Sequence, residues 1–100
     1  MSFLDQHIDQ IRRLCSTNSV KSLFAFGSVI RDDFGPESDV DLIVDIGEQD
    51  PTNYADKYFN LKFELEKILR RQIDLLENQA LKNPYLKQQI DKTKILIYGG

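Results

Sequence analysis

Three aspartates and one Gly-Ser pair are the residues of this 100-residue sequence best suited to chemistry. Gly27-Ser28 is followed by ten residues and then by Asp39-Val40-Asp41, which opens an apolar run. Residues two apart in an extended segment project from the same face, so Asp39 and Asp41 stand a few ångströms apart. Two carboxylates that close repel one another unless something positive sits between them. A divalent cation meets that need, and Mg²⁺ is held by one or two carboxylates together with waters and substrate phosphates. Asp74, in "QIDLLE", offers a third oxygen ligand from a neighbouring strand. Three carboxylates and a nucleotide's phosphates can hold two metals ~3.5–4 Å apart, which activates an attacking oxygen and steadies a leaving one.

Gly27-Ser28 complements the acidic set. Glycine lets the backbone approach a ligand closely, and a serine hydroxyl with adjacent N–H groups can bind phosphate oxygens. If "SVIRDD" opens a helix, its N-terminus directs positive potential at the same anion. Arg31 can also reach a phosphate, because a guanidinium makes bidentate contacts with oxyanions. Taken singly, each feature has a plainer explanation: Gly-Ser pairs are common in turns, and Ser38-Asp39 is ordinary loop-end chemistry. The whole pattern arises by chance in roughly one chain of this length in a thousand, at residue frequencies of a few per cent.

The elements that must position these residues read as alternating helices and strands. Phe3, Leu4, His7, Ile8, Ile11, Leu14 and Cys15 share one face of a helix over 2–15, with His7 at its boundary. "KSLFAF" is a short strand running directly into Gly27-Ser28, and "GPES" is loop. "DVDLIVDI" is the strongest strand signal, with Val40, Leu42, Val44 and Ile46 on one face and Asp39, Asp41, Ile43 and Asp45 on the other. Thr52 is the expected cap of a helix running to about Arg70, with Tyr54, Tyr58, Leu61, Leu65, Ile68 and Leu69 as its apolar face. The two tyrosines fit a core better than base stacking, and Lys67, Arg70 and Arg71 suit the dipole at the helix end. "RQIDLLE" and "KILIY" are further strands, flanking a short helix in "NPYLKQQIDK" that has proline in its first turn. The pattern predicts an α+β fold, an α/β sandwich in which helices pack on a small mixed β-sheet.

Composition narrows the function classes. One hundred residues suit a single domain over 1–100, large enough to bury a core without staples. A net charge of −3 supplies no global basic field, so direct nucleic-acid binding is not expected. The lone cysteine, Cys15, excludes an internal disulfide and reads as a packing residue in a reducing compartment. No signal-like segment and no run of 18 apolar residues occurs, which predicts a cytoplasmic protein without a membrane partner.

The stretch "GS-VIRDDFGPES-DVD" resembles the GSx10DxD signature of the DNA polymerase β-like nucleotidyltransferase superfamily. The likeness runs from Phe24 through Asp74, and "NPYLKQQIDKTKILIYG" looks like the tail of its smallest members. These are the minimal nucleotidyltransferases (MNT proteins), often encoded beside a HEPN-domain partner in prokaryotic toxin–antitoxin pairs. The resemblance implies that Gly27 and Ser28 hold a nucleoside triphosphate, with Arg31 as a further phosphate contact. It implies that Asp39 and Asp41 ligate the metals, two Mg²⁺ ions. Asp74 would be the third catalytic carboxylate, ligating the catalytic metal and helping to deprotonate the acceptor hydroxyl. In this sequence Arg31 is followed by Asp32 and Asp33, where relatives often carry small or basic residues. The implied activity is transfer of AMP from ATP to a tyrosine of a HEPN-type toxin, which makes the chain an antitoxin. Two alternatives share the motif: a non-catalytic antitoxin that masks the toxin, and an aminoglycoside-type small-molecule nucleotidyltransferase, for which a homo-oligomer would be needed to enclose the acceptor.

Overall fold

The computed structural model describes residues 2–31 and 35–99, so Asp32 and Asp33 lie outside the described residues. Four strands form one mixed sheet: β1 (Val20–Phe26), β2 (Val40–Ile46), β3 (Ile73–Glu77) and β4 (Ile95–Gly99), in the order β3-β2-β1-β4. β1 pairs antiparallel with both β2 and β4, while β2 and β3 run parallel. The parallel pair requires a crossover, and α3 (Pro51–Leu69) supplies it. This is the mixed sheet with packed helices that the alternating pattern predicts.

One face of the sheet is the core. Leu23 and Ala25 of β1, Val40, Leu42, Val44 and Ile46 of β2, Ile73 and Leu75 of β3, and Ile97 of β4 are buried there. α1 (Ser2–Asp5), α2 (Ile8–Thr17) and α3 cover them with Leu4, Ile11, Cys15, Leu61, Leu65 and Leu69. Cys15 is fully enclosed, and burial pushes its thiol up to about 12. The opposite face carries Asp41, Ile43 and Asp45 of β2. Ile43 is buried there as well, flanked in register by Phe24 and Leu76.

Several local expectations are corrected. The N-terminal helix is broken at Gln6-His7, where His7 takes φ −121° and ψ 14°. The break sets the first turn apart, placing Phe3 edge-on to His7 and beneath the Arg71 guanidinium, 5.0 Å from the ring centre. The cap of α3 is Asp50 rather than Thr52: its Oδ2 accepts from Asn53 N–H at 3.0 Å, and Pro51 occupies the first helical position. The helix expected in "SVIRDD" is a single 3₁₀ turn over Gly27–Ile30 in the described residues. Four residues sum little macrodipole, so the field that a longer helix would direct at an anion is largely missing here. α4 (Pro84–Thr93) forms as expected, with the Asn83 side chain accepting from Tyr85 and Leu86 N–H. No helix among the described residues is long and apolar enough to cross a membrane.

Candidate active site

The candidate site sits where three adjacent strands begin or end. β1 ends at Phe26, which is the register partner of Asp41 near the start of antiparallel β2. On the other side of β2, Asp41 is the register partner of Asp74 in parallel β3. The topology therefore brings the Gly-Ser turn, Asp41 and Asp74 side by side across neighbouring strands. Asp39 lies one residue before β2, whose first N–H, from Val40, donates to the Gln72 carbonyl at 3.0 Å.

Gly27 is required by two observations together. Its φ is +73°, a conformation that side-chain-bearing residues seldom adopt, and a Cβ there would overlap Oδ2 of Asp41. The Asp41 carboxyl thus packs directly on the glycine backbone. A ligand bound by the Gly27-Ser28 turn stands next to that carboxylate.

Charge in the site is asymmetric. Asp41 is half-buried, whereas Asp39 and Asp74 are exposed. Burial lifts the Asp41 carboxyl above its ordinary value, and the neighbouring Asp74 and Asp39 raise it further, while Arg31 pulls the other way. Asp41 thus lies within electrostatic reach of Asp74, Asp39 and Arg31. Among the described residues, no three acidic, histidine or cysteine side chains stand together as a ready metal cage. The donor set nonetheless fits Mg²⁺, which takes one or two carboxylates and completes its shell with water and phosphate oxygens. Mutual repulsion of the three aspartates is the cost that such a cation would relieve.

Two walls complete the site. A cleft of about 310 Å³ is lined by Gly27, Ile30 and Arg31 on one side and by Thr93 and Ile95 on the other. A neighbouring hollow lies between the same turn and Leu86, Gln89 and Ile90 of α4. The C-terminal helix and strand thus border the Gly27-Ser28 turn, a placement that hydrophobic periodicity alone does not disclose. Tyr54 and Tyr58 pack against the core, as their spacing suggests, and the Tyr58 hydroxyl donates to the Leu75 carbonyl. Burial, together with the nearby Glu77, raises both phenols, Tyr54 to about 12.

Arg71 is the residue whose place the sequence conceals. It lies beyond the end of α3, which closes on Arg70 in the left-handed conformation. Its Nη1 donates to the carbonyls of Gly35 and Ser38, each at 2.9 Å. Ser38 immediately precedes Asp39, so the guanidinium fixes the end of the spacer that leads into Asp39 and Asp41. The dipole role expected of Arg71 is replaced by this loop-bracing one. A basic residue after a helix carries no signal that distinguishes the two.

Comparison with known proteins agrees with the geometry. The family model described as "Polymerase beta, Nucleotidyltransferase" matches residues 9–100. A relative from Methanocaldococcus jannaschii, named "Putative protein adenylyltransferase MJ1379", is 36% identical over 78 residues, covering 78% of this chain and 77% of the relative. The solved structure of a "putative minimal nucleotidyltransferase" superposes with a TM-score of 0.77 at 27% identity, covering 92% of this chain and 90% of the other. The structure of a tri-AMPylated Shewanella oneidensis HEPN toxin in complex with MNT antitoxin contains a chain that superposes with a TM-score of 0.67. At 19% identity, with 96% of this chain and 72% of that chain covered, this likeness speaks for the fold.

Proposed function

This chain belongs to the polymerase beta nucleotidyltransferase family, and on that footing we propose that it transfers AMP from ATP to a protein hydroxyl. The observation that carries the reading is the register that sets Asp41 between the Gly27 turn and Asp74. Backbone N–H groups of the turn and the Ser28 hydroxyl hold the triphosphate, with Arg31 meeting an outer phosphate. Asp39 and Asp41 hold Mg²⁺, with Asp74 as the third carboxylate. A metal bound there would supply positive charge that offsets the phosphate oxygens. Asp74 takes the proton of the incoming hydroxyl. The new bond forms from that oxygen to the α-phosphorus, and the bond from the α-phosphorus to the bridging oxygen breaks to release pyrophosphate.

The acceptor we propose is a tyrosine of a HEPN-type toxin, so that modification silences the toxin and this chain acts as its antitoxin. The modified HEPN toxin held by an MNT antitoxin of the same fold supports this choice. The test is incubation of purified protein with ATP, Mg²⁺ and its HEPN partner, followed by intact-mass measurement of the partner. A mass increase of AMP units, lost in the folded Asp39→Ala/Asp41→Ala variant, is expected. Toxin neutralisation that survives in that variant without any mass change would replace catalysis with masking.

A further inference from the structure

α3 is apolar on two opposite sides, and only one of them meets the core. Leu61, Leu65 and Leu69 are buried against the sheet, whereas Phe59 and Phe63 point away from it and remain 49% and 56% exposed. Their rings stack on each other with centroids 6.0 Å apart. A paired aromatic stripe on an outer helix face is costly to leave in water and marks an association surface.

The charges beside the stripe indicate what covers it. At about 100° per residue, Asp56 and Lys67 fall on the same flank of the Phe59–Phe63 ridge. Measured from Leu61 at 1.5 Å per residue, Asp56 lies about 7.5 Å toward the N-terminus and Lys67 about 9 Å toward the C-terminus, while the two rings lie about 3 Å to either side. Both charged residues are exposed, and Lys67, 74% exposed, has a 3.5 Å contact with Glu64 one turn earlier. A two-fold axis perpendicular to the helix and opposite Leu61 keeps the flank and reverses the direction. It therefore lays Phe59 on the second copy's Phe63, and Asp56 on its Lys67, each contact occurring twice. The stripe is complementary to itself in the antiparallel sense, as an isologous interface requires.

From this we infer that the outer face of α3 is a self-association surface, on which a second copy of this chain docks antiparallel through Phe59, Phe63, Asp56 and Lys67. The rings supply the affinity, and the exposed ion pairs mainly set direction and register. One helix pair falls short of the roughly 1,200–2,000 Å² of a stable interface, so the dimer is concentration-dependent. The sheet face that carries Asp41 and Asp74 is left uncovered by this arrangement.

Sedimentation velocity from low micromolar to near-millimolar protein tests the inference. The wild-type chain should pass from monomer to dimer, and Phe59→Ser/Phe63→Ser should weaken association by at least about tenfold, while keeping a cooperative thermal transition at dilutions where the wild type is monomeric. Asp56→Lys and Lys67→Asp should each weaken it, whereas an equimolar mixture of the two, or the double variant, should restore it. A wild-type chain that stays monomeric throughout overturns the inference, as does a dimer indifferent to the two phenylalanines. A mixture of the charge variants that associates no better than either alone overturns the antiparallel arrangement. Loss of HEPN binding in Phe59→Ser/Phe63→Ser, with a monomeric wild type, assigns the face to the heterologous partner and overturns docking of a second copy.

Discussion

Gly27→Ala is the most informative single substitution, because it acts on the site through one methyl group. The backbone at Gly27 has φ +73°, and holding an L-residue there costs about 1–2 kcal/mol. The added Cβ overlaps Asp41 Oδ2 and comes within 3.2 Å of its Cγ and 3.3 Å of its Cβ, so the carboxyl must leave its rotamer or the turn must open. An off-rotamer side chain adds about 0.5–1.5 kcal/mol. A total of about 1.5–3.5 kcal/mol follows, equivalent to a fall in melting temperature of roughly 6–28 °C for a domain of this size. A carboxylate displaced by about an ångström also lowers transfer on the order of 100-fold in protein that is still folded. Urea unfolding measures the first effect. Transfer of labelled AMP to the acceptor, well below the melting temperature, measures the second. Gly35→Ala is the matched control, since among the described residues a Cβ there meets only Ser38 Oγ at 3.8 Å; it should stay within about 0.5 kcal/mol of wild type. If Gly27→Ala matched that control in both stability and turnover, close packing of the turn on Asp41 would not describe the site.

Three further outcomes follow from the same geometry. Arg71→Met removes two charge-assisted bonds to the Gly35 and Ser38 carbonyls and should cost about 2–3 kcal/mol in urea unfolding, discounted for partial access of water; Mg²⁺-dependent nucleotide affinity should fall with it, and Arg71→Lys should recover only part of either. The raised Asp41 carboxyl binds its proton more tightly in the folded than in the unfolded chain, so metal-free stability is greater below its ordinary value of 3.8 and is lost as pH rises through the elevated one. Asp41→Asn should therefore stabilise the metal-free protein at neutral pH, an advantage that shrinks in acid, while abolishing transfer; a destabilised Asp41→Asn at pH 7 would contradict the crowding of the three carboxylates. Cys15, enclosed in the core and raised to about 12, should resist a disulfide-exchange reagent in native protein and react at the rate of unfolding.

The readable and hidden parts of the molecule differ in the range of the forces behind them. All four strands were legible because alternation and apolar runs are local signals, and Val40, Leu42, Val44 and Ile46 do share the core face. The nearness of Gly27 to Asp41 was legible because the motif that holds both spans a short stretch of chain. The break at Gln6-His7 was not, since apolar spacing continues through it and the turn is tied to Phe3 lying under Arg71. Asp50 took the cap from Thr52 because Pro51 fits the position that follows a cap, a cue that precedes the expected start. The bracing by Arg71 and the walling of the site by α4 and β4 depend on contacts across more than 30 and 60 residues, respectively. Helix and strand periodicity carries no record of such distances.

The parallel pairing of β2 with β3 has a kinetic corollary. Setting Asp41 beside Asp74 closes a loop of 33 residues with α3 inside it, which costs about 3 kcal/mol of chain entropy. During refolding, the strand contact that completes the acidic set is thus among the most demanding to make, and it is opposed by like charge when it forms. Val40, Leu42, Ile73 and Leu75, buried in the same two strands, must supply the attraction that overcomes both. A cation present while the chain folds screens that last approach, so refolding should quicken with added Mg²⁺ in the wild type and lose that acceleration in Asp74→Asn. The carboxylates that would serve turnover in the finished molecule thereby act as a brake on its assembly.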